Sequence, residues 1–213
     1  MAKKEPRSLY GQVVAITGAA RGIGKATARA LARQGARVGI GDLDVELARK
    51  TAEELGGSVE AFSLNVCDRA SFSHFLDEVE RTLGPVDVLI NNAGIMPLGS
   101  FDEEDDATTL RQIDINVVGV MTGCKLVIPK MKQRGRGHIV NIASMAGRAG
   151  YANAVTYCTT KFAVVVPLRG LAGRAARHRD RALGRVPGRG QHRARLRPER
   201  DPRGQGGGAR GGR

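Results

Sequence analysis

Residues 13–24 read VVAITGAARGIG, with the glycine-rich stretch Thr17-Gly-Ala-Ala-Arg-Gly-Ile-Gly24 at their end. A short apolar, β-branched run entering a glycine turn and leaving as an Ala-rich helix is the start of a βαβ unit. Glycine is wanted where the backbone must turn tightly and approach a pyrophosphate. The helix that follows offers unpaired N–H groups and the positive end of its dipole to that anion. The spacing is G-x-x-x-G-x-G rather than the general G-x-G-x-x-G, and a plain glycine turn is the competing explanation.

Outward from this loop the pattern repeats. Lys25–Gln34 reads as a helix ended by Gly35, and Arg37–Ile40 as a second strand. Val45–Leu55 is a helix stopped by Gly56 and Gly57, and Val59–Leu64 is a third strand. A helix over Ser71–Leu83 takes Ser71 as its cap. Val86–Ile90 is a fourth strand, Asp105–Gln133 a long helical stretch, His138–Ile142 a fifth strand, and a further helix begins near Ala154. Strands alternating with helices imply parallel pairing with right-handed crossovers. Nearly all-apolar strands imply a sheet covered on both faces. The expected fold is α/β, a doubly wound parallel Rossmann-type sheet.

The net charge of +13 on 213 residues would suggest a nucleic-acid binder if it were spread evenly. It is not. Residues 168–213 hold 14 Arg, no Lys and 3 acids, a net of +11, which leaves +2 for residues 1–167. The expectation is one nearly neutral domain over 1–167 and a basic Arg/Gly-rich tail over 168–213. That tail has 11 glycines and no aromatic residue, so disorder is predicted there. Its closing QGGGARGGR resembles RNA-binding Arg-Gly segments only faintly, since no aromatics interleave to stack on bases. Cys67, Cys124 and Cys158 lack metal-type spacing and read as free thiols in a reducing compartment. No secretory h-region and no bilayer-length apolar run is present, so the expected location is cytoplasmic, with no membrane and no metal.

Asp42 follows the second strand about 20 residues after the glycines, where a carboxylate accepts from the adenosine ribose and repels a 2′-phosphate. That favours NAD over NADP. Arg21 and Arg37 could instead attend a phosphate, and a solvated loop carboxylate is the bland alternative. Tyr157 and Lys161 lie four apart and share one helix face. A tyrosine, with its pKa of about 10, is a poor base near neutrality, and a fixed ammonium beside it favours the phenolate. Alone, such a pair is usually a chance surface feature. Ser144, however, lies beyond the fifth strand, at the sheet edge where open α/β sheets bind ligands. Asn91–Gly94 (NNAG) ends the fourth strand at the same edge, though by itself it reads as a turn. Asn116 interrupts the apolar IDINVVG. It either binds a water linking Lys161 to solvent or makes a structural hydrogen bond at a helix kink.

TGAARGIG, NNAG, Asn116, Ser144 and Y-x-x-x-K, in this order and spacing, resemble the short-chain dehydrogenase/reductase family over residues 10–166. The resemblance implies NAD(P)-dependent hydride transfer between an alcohol and a ketone. It makes Tyr157 the general acid/base, Lys161 its partner and a ribose ligand, Ser144 the substrate-oxygen ligand and Asn116 a support of the proton relay. It implies cofactor contacts from Gly18, Arg21, Gly22, Ile23, Gly24 and Asp42, from Asn92, Ala93 and Gly94, and from Tyr157 and Lys161. Asn65, followed by Val66, stands where the family usually has an Asp beside the adenine. Ile95, Met96, Met145, Ala146 and Tyr151 are expected at the substrate entrance, favouring an apolar alcohol or ketone. A homo-oligomer paired through the Asp105–Gln133 and Tyr157 helices is expected of a full-length chain. Cofactor binding without turnover is the alternative role.

The resemblance stops near Pro167, where family members continue into two further strands and a lid. Reading bases two and three of each codon with base one of the next, Arg177–Arg185 permits D-T-G-I-A-L-S-V-V, and Val186–Ala194 permits x-P-G-x-V-N-T-E-L. Upstream, Leu168–Ala176 permits S-E-A-L-R-A-E-L-R. The expectation is a frame slip between Lys161 and Leu168, in the gene or its sequencing, with the C-terminal strands missing and activity impaired in the literal chain.

Overall fold

The structure, a computed structural model, describes the backbone of residues 8–175 and the side chains of 8–165. Five strands and six helices alternate along it. They are β1 (Val13–Thr17), α1 (Gly22–Ala32), β2 (Arg37–Asp42), α2 (Val45–Leu55), β3 (Val59–Ser63) and α3 (Arg69–Leu83). There follow β4 (Val88–Asn91), α4 (Asp106–Ile113), α5 (Gly119–Gln133), β5 (His138–Asn141) and α6 (Val155–Ala175). A π-helical turn at Asp114–Val118 joins α4 to α5, and a 3-10 turn at Met145–Gly147 follows β5.

The strands form one sheet in the order β3-β2-β1-β4-β5, and every pairing is parallel. The order reverses between β1 and β4, which opens a crevice at their carboxyl ends. The strand period of two divides β1 between two cores. Val14 and Ile16 pack with Ala28, Val38, Ile40, Ala48 and Ile90 on the α1/α2 side. Val13 and Ala15 pack with Phe72, Phe75, Val79, Leu89 and Val127 on the α3/α5 side. Both faces are covered, as the continuous apolar strands require. β5, which with β3 forms the edges of the described sheet, is half-buried throughout.

Several boundaries differ from the sequence expectation: α1 spans Gly22–Ala32 rather than Lys25–Gln34, β2 runs on to Asp42, β3 and β5 each end one residue early, and the expected Asp105–Gln133 helix is divided by the π turn. α3 begins at Arg69, and its cap is Asp68, whose carboxylate accepts from the Ala70 N–H. Ser71 lies inside the helix and its hydroxyl instead accepts from the Asn65 N–H. Both residues satisfy cap chemistry, and the loop from β3 decides between them. β4 spans Val88–Asn91 rather than starting at Val86; just ahead of it the Asp87 N–H bonds to Val13 O, its C=O accepts from the His138 N–H, and its carboxylate accepts from the Val13 N–H. α6 runs through Pro167 to Ala175, so the first eight residues of the segment expected to be disordered have helical backbone. The remainder of the expected basic tail lies outside the described residues.

Candidate active site

The glycine loop is held by hydrogen bonds from Thr17, Asn92, Asp42 and Thr51. Asn92 donates from Nδ2 to Thr17 O (2.9 Å) and Gly18 O (2.8 Å), while Thr17 Oγ1 accepts the Asn92 and Ala93 N–H groups, each at 3.0 Å. Ala20 is held from both sides, its N–H by Asp42 Oδ2 (3.0 Å) and its C=O by Thr51 Oγ1 (2.7 Å). Gly18 has φ +64°, and a Cβ there would come 2.7 Å from Ala93 Cα. Gly24 tucks the helix start against the turn, where a Cβ would lie 2.6 Å from Gly18 O.

These contacts leave α1 with an open N-terminus. Arg21 occupies the cap position without a side-chain cap bond, and no acid lies in the first turn. Arg21, Gly22 and Ile23 are exposed, and nothing lies within 4 Å of a Cβ built on Gly22. Bare helix N–H groups under an open glycine fit a pyrophosphate. Asp42, half-buried, also accepts the Asp44 N–H from Oδ1 at 3.2 Å, so its carboxylate is oriented by two backbone donors at the end of β2. Asn65 is exposed and its Oδ1 accepts from Cys67 N–H, while Val66 packs at the start of α5, 3.1 Å from a Cβ placed on Gly119.

Across the crevice, Asn116 sits in the π turn, where the Gly119 N–H reaches back five residues to Asp114 O. The extra residue in that turn re-aims a side chain that a regular helix would place elsewhere. Asn116 Oδ1 accepts from Ile95 N–H (2.9 Å), and its Nδ2 donates to Ile95 O (2.9 Å) and Thr160 Oγ1 (3.1 Å). Structural hydrogen bonding at a helix irregularity, one of the two readings open from sequence, is therefore present. A Cβ on Gly94 would stand 3.1 Å from Asn116 Oδ1 and 3.7 Å from Lys161 Nζ. Both groups thus lie beside Gly94, the exposed residue of the NNAG segment.

Lys161 is 6% exposed and donates from Nζ to Ile142 O at 3.0 Å. It makes no ion pair among the described residues, and burial pushes its ammonium pKa down. Its Nζ stands 5.6 Å from the centre of the Tyr157 ring, a cation–π distance. Ser144 begins the 3-10 turn after β5, and its Oγ accepts from the Ala146 N–H. That turn rests on α6, since a Cβ on Gly147 would lie 2.7 Å from Lys161 O. The loops after β4 and β5 are joined by Gly99 N–H to Asn153 O (3.0 Å), with Asn153 at φ +60°. Around them Met96, Leu98, Phe101, Met145 and Tyr151 are exposed.

The sequence does not single out Thr51, Glu104, Thr156 or Thr160, yet Thr51 anchors Ala20, Thr156 donates to Glu104, and Thr160 accepts from the Asn116 amide. A lone Thr carries no periodic signal, and its partner is distant in the chain. Cys67, Cys124 and Cys158 are free thiols, and burial pushes the Cys124 thiol pKa up. Among the described residues no His, Cys, Asp and Glu cluster suits a metal, and no helix is long and apolar enough to cross a membrane.

A family model described as short chain dehydrogenase matches residues 12–189. The chain belongs to the short-chain dehydrogenase family. This short-chain dehydrogenase is 42% identical over 158 residues to a sorbitol dehydrogenase of Cereibacter sphaeroides, covering 74% of the chain and 62% of that relative. It is 36% identical over 156 residues to a 3-alpha-(or 20-beta)-hydroxysteroid dehydrogenase of Mycobacterium tuberculosis (strain ATCC 25618 / H37Rv), covering 73% of the chain and 60% of that relative. The chain thus spans about three fifths of the length of these curated relatives. Among solved structures it resembles a 3-ketoacyl-(acyl-carrier-protein) reductase from Brucella melitensis complexed with NADH, at TM-score 0.79 and 31% identity. That likeness covers 82% of this short-chain dehydrogenase and 74% of the other chain. The doubly wound sheet is the family's fold, and the family is an NAD(P)-dependent oxidoreductase family.

Proposed function

We propose that the chain interconverts an apolar alcohol and its ketone, with NAD as the preferred cofactor and Tyr157 as general acid/base. The convergence of Asn116 Oδ1 and Lys161 Nζ on Gly94, with Tyr157 beside that ammonium, carries the reading. A bound nicotinamide would supply the acceptor or donor for the hydride of the carbinol carbon. Gly18, Arg21, Gly22, Ile23 and Gly24 hold the pyrophosphate end, and Asn92, Ala93 and Gly94 line the channel. Asn65 and Val66 border the adenine.

In the oxidative direction Tyr157 takes the proton of the substrate hydroxyl at its phenolic oxygen, and Ser144 Oγ holds that hydroxyl in place. Lys161 favours the anionic phenolate through its nearby charge, and its remaining N–H groups bind ribose hydroxyls. Asn116 supports the return of the proton to solvent by fixing the Ile95 backbone next to Lys161. Asp42, aimed by Ala20 and Asp44, accepts from the adenosine ribose and repels a 2′-phosphate, which selects NAD. The exposed apolar rim of Met96, Leu98, Phe101, Met145 and Tyr151, with Ile95 and buried Ala146 behind it, supports an apolar substrate over a polyol.

The partner of α4, α5 and α6 is a second copy of the chain. Exposed Leu110, Met121, Val155 and Phe162 support that face, as does a groove of about 440 Å³ beside Tyr151 and Cys158. The test is absorbance at 340 nm with NAD or NADP and a panel of apolar secondary alcohols and polyols. Turnover of the apolar alcohols with NAD, abolished by Tyr157→Phe, is expected. Polyol turnover alone, or turnover that survives Tyr157→Phe, refutes the reading.

A further inference from the structure

We propose that Thr156 and Thr160 are positioning residues: a two-rung hydroxyl ladder that sets the rotation of α6 and so aims Tyr157 and Lys161 into the crevice. The inference rests on the reading of those two residues as the proton-transfer pair. Thr156 and Thr160 are four apart and share one helix face. Tyr157 and Lys161 repeat the same spacing one residue on, about 100° further round the helix.

Both threonines are buried, and each hydroxyl meets a different anchor. Thr156 Oγ1 donates to Glu104 Oε1 at 2.6 Å. Glu104 is itself fixed by Thr109 Oγ1 (2.6 Å) and Gln112 Nε2 (3.0 Å) of α4. Thr160 Oγ1 accepts from Asn116 Nδ2 at 3.1 Å and donates to Tyr157 O at 2.8 Å. Asn116 is in turn locked to both polar groups of Ile95. The upper rung therefore ties α6 to the start of α4, and the lower rung ties it to the π turn and the site wall.

Apolar burial gives this orientation only a small anchor. On α6, Cys158 packs with Ala146 and Ala154, while Val155 and Phe162, seven residues apart, share an exposed face, so the apolar contact bearing on the rotation is a cluster of small side chains. Directional hydrogen bonds from two fixed points do define it. A rotation of one residue would break both rungs and leave buried hydroxyl and amide groups unpaired.

The experiment compares the full chain with Thr156→Val, Thr160→Val, their combination, and the Thr→Ser counterparts. Valine keeps the shape and removes the hydroxyl, whereas serine keeps the hydroxyl. In the double Val variant kcat should fall about tenfold or more. KM for the alcohol should change less than about twofold. The double Ser variant should hold the wild-type kcat. Hydrogen–deuterium exchange should quicken at residues 94–96 and 113–118 in the Val variants and not in the Ser variants. Wild-type kcat in the double Val variant, or an equal fall in the Val and Ser variants, overturns the ladder. If the unaltered chain turns over no alcohol, the dehydrogenase reading fails on its own. Exchange still decides the ladder, which unchanged rates in the double Val variant overturn.

Discussion

Asn116 grips both polar groups of the Ile95 backbone, accepting its N–H and donating to its C=O at 2.9 Å each. A primary amide can both accept and donate at one residue, and the π turn is what brings it within reach. The wall of the crevice and the helix that carries Asn116 are thereby one rigid piece.

Asn116→Ala leaves the Ile95 N–H and C=O and the Thr160 hydroxyl without this partner. The expected loss of stability is about 1–3 kcal/mol. Urea denaturation followed by far-UV circular dichroism measures it. A loss too small to detect would mean that water replaces the amide at no cost.

Gly18→Ala should abolish cofactor binding and lower Tm. The residue sits at φ +64°, and the new methyl would press on Ala93 Cα at 2.7 Å. The left-handed backbone alone costs an L-residue roughly 1–2 kcal/mol. NADH fluorescence titration and a melting curve check both parts. Unaltered affinity would place the pyrophosphate elsewhere.

Asp42→Ser removes the carboxylate at the end of β2. Affinity for NADH should drop about tenfold to a hundredfold, the value of a charge-assisted hydrogen bond. Affinity for NADPH should rise relative to it. Parallel titrations with the two nucleotides give the ratio, and an unmoved ratio would remove Asp42 from selectivity.

Lys161→Met tests burial against function. Burial lowers the Lys161 pKa in the folded state. Between that depressed value and the unfolded value of about 10.4, the unfolded chain binds more protons. The contribution of Lys161 to stability therefore rises as pH climbs through that window. At pH 7 the Met variant should melt at or above the wild-type temperature, and the gap should close toward pH 10, while turnover is lost at every pH. A gap that widens with pH would contradict burial as the cause.

Several features were open to reading in the chain alone, because each rests on local chemistry. The apolar β-branched runs at Val13–Thr17 and Arg37–Ile40 read as buried strands, and TGAARGIG reads as a phosphate turn, because strand propensity and glycine sterics act over a few residues. Four-residue spacing alone puts Tyr157 and Lys161 on one helix face. The start of α3 was less legible, since Asp68 and Ser71 both have capping chemistry and only the loop from β3 separates them. The π turn at Asp114–Val118 left no mark in composition, because a regular helix over the same residues has equal local propensity.

What the sequence determined by itself is the α/β order of elements, the place of the glycine loop between β1 and α1, and the candidate list Asn116, Ser144, Tyr157 and Lys161. Periodicity and residue chemistry suffice for the first two, and the resemblance to the short-chain dehydrogenase family adds the list. What the tertiary structure decided is which distant residues are bonded to one another around it. Ala20 is fixed between Asp42 and Thr51, Asn116 against Ile95, and α6 against Glu104 and Asn116 through Thr156 and Thr160. Each is a hydrogen bond between residues far apart in the chain, and such partners are chosen by the fold that brings them together.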